Sequence, residues 1–168
     1  MRPRTGFTLV EILIVVIILG ILAVIVLPEF SNASATARAA MLQDDLRLMR
    51  SQLIVFKAQH LGIAAGYPNG DPTQAPTESA LTAHLTLASA ADGRTAELGT
   101  PGFRFGPYLR EIPENPINGK RTVRLLANGA AFPGTPQDVY GWIYQPSTLT
   151  LKADSSGADD NGIAFFDY

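Results

Sequence analysis

The feature that most constrains this chain is a nearly charge-free run close to its start. From Ile12 to Leu27 the residues are almost purely aliphatic, and Glu11 and Glu29 are the charges that bound them. Phe7-Thr8-Leu9-Val10 opens the apolar stretch ahead of Glu11. As a helix at ~1.5 Å per residue, Phe7 to Leu27 reaches about 31 Å, enough to span a hydrocarbon layer. Arg2 and Arg4 precede this stretch and Glu29 follows it. The positive-inside rule then places the N-terminus in the cytoplasm and everything after Pro28 across the membrane.

Downstream of about residue 62 the composition changes to Gly, Pro, Ser, Thr and Ala with ordinary polarity. With 168 residues in all, there is room for one modest domain beside the apolar segment. Net charge is −2 and no basic block is long enough to track a phosphate backbone, so nucleic acid is not an expected partner. The chain has no cysteine, which excludes thiolate metal sites, thiol nucleophiles and disulfides.

Three readings of the N-terminal segment compete. Ala33-Ser34-Ala35 and Ala35-Thr36-Ala37 have the small-x-small form of a leader-peptidase site, yet the apolar stretch exceeds the ~7–15 residues of an ordinary signal peptide and contains Glu11. A plain membrane anchor explains length and orientation but leaves Glu11 unexplained. An ionised carboxylate near the bilayer middle costs roughly 2.5–3.5 kcal/mol on insertion scales, so its default reading is functional. The third reading uses all the residues. Gly6-Phe7-Thr8-Leu9-Val10-Glu11, followed by the aliphatic run, resembles the class III signal of the type IV pilin and type II secretion pseudopilin superfamily.

That resemblance implies cleavage by a prepilin peptidase after Gly6, N-methylation of the new N-terminal Phe7, and a mature chain of 162 residues. It also implies a role for Glu11 in assembly: its carboxylate pairs with the terminal amine, often that of a neighbouring subunit. A buried amine and a buried carboxylate are each expensive to desolvate, and close pairing offsets this.

Beyond the run, Pro28 is expected to kink the helix. Leu42, Leu46, Met49, Leu53 and Phe56 then continue an apolar stripe at spacings of 4, 3, 4 and 3, the helical period. A nearly continuous helix from about Thr8 to His60 follows, ended by Gly62. Residues 62 to 106 read as a long connection with a short helix within Glu78 to Ala91. Thr122 to Leu126, Tyr140 to Gln145 and Leu149 to Lys152 read as strands, the last two forming a hairpin around Pro146-Ser147-Thr148. Ile143 and some of the neighbouring aromatics are expected to form the sheet core against Leu53 and Phe56.

Gly106-Pro107-Tyr108-Leu109, Pro113-Glu114-Asn115-Pro116 and Gly141-Trp142-Ile143-Tyr144 are similar to stretches of major pseudopilins of type II secretion systems. The implied fold is α+β and pilin-like: a long N-terminal helix, membrane-spanning in its first half, packed on a small antiparallel sheet domain. The implied organisation is a leader at 1–6, a transmembrane and filament-core helix at 7–28, an amphipathic second half at 29–61 and a periplasmic domain at 62–168. The implied function is that of a structural subunit of a helical pseudopilus that drives protein secretion across the outer membrane. The alternative is a type IV pilus pilin for adhesion, motility or DNA uptake. Expected partners are copies of the chain, minor pseudopilins, the inner-membrane assembly platform with its ATPase, and the prepilin peptidase. The expected location is the bacterial inner membrane, single-pass, with the filament in the periplasm.

No enzymatic constellation is evident, and the chain is expected not to be an enzyme. His60 and His84 lack a partner motif and read as surface or capping residues. The tail from Asp154 to Gly162 is oxygen-rich, and Asp154, Asp159 and Asp160 are candidate ligands for calcium. The spacing is not that of an EF-hand, and a solvated acidic loop is the alternative. Major pseudopilins bind calcium in their C-terminal loops, so the resemblance adds weight to calcium. Phe165, Phe166 and Tyr168 suggest docking on the domain or a subunit contact.

Overall fold

The computed structural model describes residues 6–168, and for residues 25–32 it describes the backbone alone. Two compact units divide the chain, Met1–Ala37 and Arg38–Tyr168. Helix α1 covers Leu9–Gln59, within a residue of the expected bounds at each end. Its first part belongs to one unit and the remainder to the other. The leader residues 1–5 lie outside the described residues, and at Pro28, where a kink is expected, the helix assignment is continuous.

In the first unit, the large apolar side chains described from Phe7 to Val24 are between 49% and 83% exposed. Among the described residues no helix is long and apolar enough to cross a membrane. The expected span, Phe7 to Leu27, runs into residues whose side chains are outside that description.

In the second unit the same helix behaves differently. Leu42, Leu46, Met49, Leu53 and Phe56 are each no more than 1% exposed, as their spacing predicts. Lys57 lies in the last turn, where a positive charge faces the negative end of the helix dipole. The helix stops because Leu61 and Gly62 both turn left-handed, with φ of 56° and 81°. The Gly62 N–H reaches back to the Lys57 carbonyl at 3.1 Å. A glycine adopts that conformation without the steric penalty a side chain brings.

A short helix, α2, spans Glu78–Thr86. Thr77 caps it, its hydroxyl accepting from the Ala80 N–H at 3.2 Å. Two strands of two residues each follow in the segment read as a connection, β1 at Ala88–Ser89 and β2 at Thr95–Ala96, paired antiparallel. The main sheet contains β3 (Val123–Leu125), β4 (Trp142–Gln145) and β5 (Thr150–Ala153), in the order β3-β4-β5. β4 and β5 form the expected antiparallel hairpin. β3 runs parallel to β4, so the sheet is mixed rather than wholly antiparallel. The intervening residues 126–141 exceed the dozen or so that a parallel crossover requires.

The central strand has both faces covered. Trp142 and Tyr144, two residues apart, join the cluster that contains Leu42 to Phe56, Leu81 and Leu85. Ile143 points the other way, packing with Leu126 and Phe166 and against Phe132. The sequence expectation places Ile143 against the helix, but the period-2 alternation of a strand separates it from its aromatic neighbours. Both outer strands are occupied as well. The Val123 N–H of β3 donates to the Glu78 carboxylate at 2.7 Å. The Leu151 carbonyl of β5 accepts from Arg50 at 2.7 Å, and the same guanidinium nitrogen reaches the Tyr168 carbonyl at 2.5 Å. Phe165 and Phe166 are buried, so the C-terminal aromatics dock on the domain. These contacts occupy part of each outer edge.

Candidate functional site

The N-terminal site is built around the first turn of α1. Gly6, Phe7 and Thr8 are exposed and non-helical, and the helix begins at Leu9. The Gly6–Phe7 peptide bond thus precedes the helix. Three residues on, Thr8 and Glu11 bind each other. The Thr8 N–H and hydroxyl both donate to one Glu11 carboxylate oxygen at 2.9 Å, and the Glu11 N–H donates to the Thr8 hydroxyl at 3.2 Å. This is a reciprocal capping box, in which a Thr and a Glu three residues apart satisfy donors that a helix start leaves unpaired. The Thr-x-x-Glu spacing that encodes the box is present at Thr8 and Glu11. The box meets part of the Glu11 charge from within its own chain. The negative side chain also complements the positive end of the helix dipole.

Two of the C-terminal acidic residues are tied into hydrogen bonds within the chain. Asp154 is 1% exposed. One of its oxygens accepts from the Gln137 N–H at 2.7 Å, and the other from the Val139 and Tyr140 N–H groups at 3.1 and 2.9 Å. Asp159 accepts from the Asn161 and Ile163 N–H groups, both at 2.9 Å, and from the Tyr168 hydroxyl at 2.8 Å. The Ile163 N–H and the Tyr168 hydroxyl hold its carboxyl below the ordinary range. Asp160 is exposed beside it. Among the described residues no group of three or more His, Asp or Glu side chains is placed to hold a metal ion.

The motif segments lock the domain together. Asn115, fully buried, donates through its amide to the Gly141 carbonyl at 2.7 Å and the Ser155 hydroxyl at 2.9 Å. Asn118 donates to the Tyr140 and Asp154 carbonyls at 2.8 and 2.9 Å. A side chain at Gly141 would place its Cβ 2.1 Å from the Lys120 carbonyl, so only glycine permits that approach. Tyr108 and Leu109 donate their N–H groups to the Leu85 carbonyl at the end of α2, both at 2.9 Å.

The two histidines are core residues, not surface or capping ones. His60 and His84 are 0% and 2% exposed. The Phe56 ring stacks on both, at 3.8 Å from His60 and 4.7 Å from His84. His60 Nδ1 lies 2.7 Å from the Phe56 carbonyl and so carries the proton, leaving Nε2 to accept from the Ser89 hydroxyl at 2.9 Å. His84 Nδ1 accepts from the Gly66 N–H at 3.0 Å. Burial pushes both imidazoles down, His84 to about 4, and each sits neutral in the core.

An exposed apolar helix headed by a Gly-Phe junction and an internal acid, with a small α+β domain, defines a pilin-like subunit. Comparison with known proteins agrees. Residues 1–27 match the prokaryotic N-terminal methylation motif. The type II secretion system core protein G of Dickeya chrysanthemi is 38% identical over 173 aligned positions, covering 96% of this chain and 97% of that protein. Its counterpart from Vibrio cholerae is 27% identical, covering 86% and 96%. The type IV major pilin protein PilA of Myxococcus xanthus is 29% identical, covering 99% and 80%. No solved structure matches the chain. The chain belongs to the family of type II secretion system core protein G, the major pseudopilin.

Proposed function

We propose that this chain is the structural subunit of a pseudopilus that serves type II protein secretion. The observation that carries this reading is the all-round exposure of the Phe7–Val24 side chains on a helix headed by the Thr8–Glu11 box. A helix that is apolar on every face needs cover on every face. Lipid supplies it before assembly, and neighbouring copies supply it in the filament. Prepilin peptidase cuts after Gly6 and methylates Phe7, and the released amine competes with Thr8 for the Glu11 carboxylate. Arg2 and Arg4 keep the leader cytoplasmic, so the C-terminal unit stands in the periplasm. Minor pseudopilins and the inner-membrane platform with its ATPase are the assembly partners. The chain acts as a building block and as a peptidase substrate, not as a catalyst.

Glu11→Ala tests the reading. The variant is expected to be exported and cut normally, its N-terminus by mass spectrometry being N-methylated Phe7, while sedimentable filament falls to background. Full filament yield from it would refute the assignment of Glu11. The Myxococcus relative favours a second reading, a type IV pilus pilin. A filament confined to the periplasm supports the first, and one found on the cell exterior supports the second.

A further inference from the structure

We infer that the C-terminal loops of this chain are closed by its own hydrogen-bond donors and take no calcium ion at Asp154 or Asp159. Calcium requires six to eight oxygen ligands at about 2.3–2.6 Å, all presenting lone pairs to one point. The loops present the opposite chemistry. Three N–H groups, from Gln137, Val139 and Tyr140, converge on the two Asp154 oxygens. Such a cradle of backbone donors is an anion site, with its positive ends turned inward. The neighbouring Asp138 carboxylate accepts from the Ser156 N–H at 2.9 Å, which ties the loop before β4 to the loop after β5. The Asp138 carbonyl accepts from the Lys120 ammonium, so a positive charge supplied by the chain already sits against this loop. Asp159 turns both oxygens to donors within residues 161–168. A divalent cation at the cradle would meet three N–H dipoles and the Lys120 charge, and would have to displace hydrogen bonds to gain each carboxylate.

The test uses the full chain in detergent micelles, melted with its single tryptophan, Trp142, as the fluorescent reporter. The melting temperature in excess calcium chloride is expected to equal that in EGTA to within about 2 °C, and a calcium-dependent rise beyond about 2 °C overturns the inference, since saturating ligand raises stability by mass action. A second measurement addresses the cradle itself. Asp154→Asn replaces one acceptor oxygen by an amide NH2 donor that faces an N–H, and amide exchange at Gln137, Val139 and Tyr140 is expected to speed up about tenfold or more without calcium. Unchanged exchange there overturns the inference. Should that variant not fold, Lys120→Met serves: exchange across residues 137–140 is expected to accelerate equally in calcium and in EGTA, and rescue by calcium overturns it.

Discussion

Two stretches of α1 are built from the same aliphatic residues and dispose of them oppositely. From Leu9 to Val24 the large apolar side chains are at least 49% exposed, whereas Leu42, Leu46, Met49, Leu53 and Phe56 are at most 1% exposed. The second stretch has a stripe, with Asp44, Arg47 and Gln52 off it, so a single sheet and α2 suffice to cover it. The first has no polar side beyond its opening turn. No one-sided partner domain can cover it, and the cover must come from around it. One unit is therefore finished as folded, and the other is finished only by what surrounds it.

The comparison breaks first at the core. Leu53→Ala is expected to lower the stability of the C-terminal unit by about 2–5 kcal/mol, the usual cost of a large-to-small change at a sealed site. Ile17→Ala is expected to leave that unit's stability within ~0.5 kcal/mol of the parent, as exposed positions do. Denaturation followed by Trp142 fluorescence measures both. Equal losses from the two substitutions would erase the distinction.

Acid sharpens the same contrast. The fold keeps His84 neutral down to about pH 4, while the unfolded chain takes up that proton near 6.5. The unfolded state therefore binds more protons between these values. His84's contribution is fully present above about pH 6.5, is lost as pH falls towards 4, and is gone below it. At ~1.4 kcal/mol for each pH unit, the loss is about 3 kcal/mol. His60 titrates in the same direction. Denaturation midpoints across this range should fall in the parent and fall less in His84→Gln. An equal slope in both would remove the histidine from the account.

The smallest effect concerns one atom. The Tyr144 hydroxyl is buried without a hydrogen-bond partner, and burial with the nearby Tyr67 raises its ionisation well above the ordinary phenol range. Tyr144→Phe removes the unpaired group and keeps the ring, so a gain of up to ~1 kcal/mol is expected in the same denaturation assay.

What the sequence made legible follows from range. The stripe from Leu42 to Phe56 and the β4–β5 hairpin are local patterns and could be read directly. His60 extends the same stripe by four residues, and His84 lies three beyond Leu81. Their burial was thus written in the spacing, but was outweighed by the polarity of imidazole. The parallel pairing of β3 with β4 has no local signature, because residues 126–141 decide it in space. β1 and β2 are too short to show a period. At the N-terminus the Gly6-Phe7 junction and Glu11 stood out by type and position, and the partner Thr8 was visible only once the capping box was seen. Asp154 could be read as an acid but not as an anion in a cradle, since its donors lie 14 to 17 residues away.

The most direct measurement places a photo-cross-linking amino acid at Ile17 of the otherwise native chain in cells assembling the secretion system. The account predicts an adduct of two mature chains, each beginning at Phe7, and its disappearance in Glu11→Ala. Adducts to lipid alone, with no chain-to-chain product from the assembled filament, would contradict it.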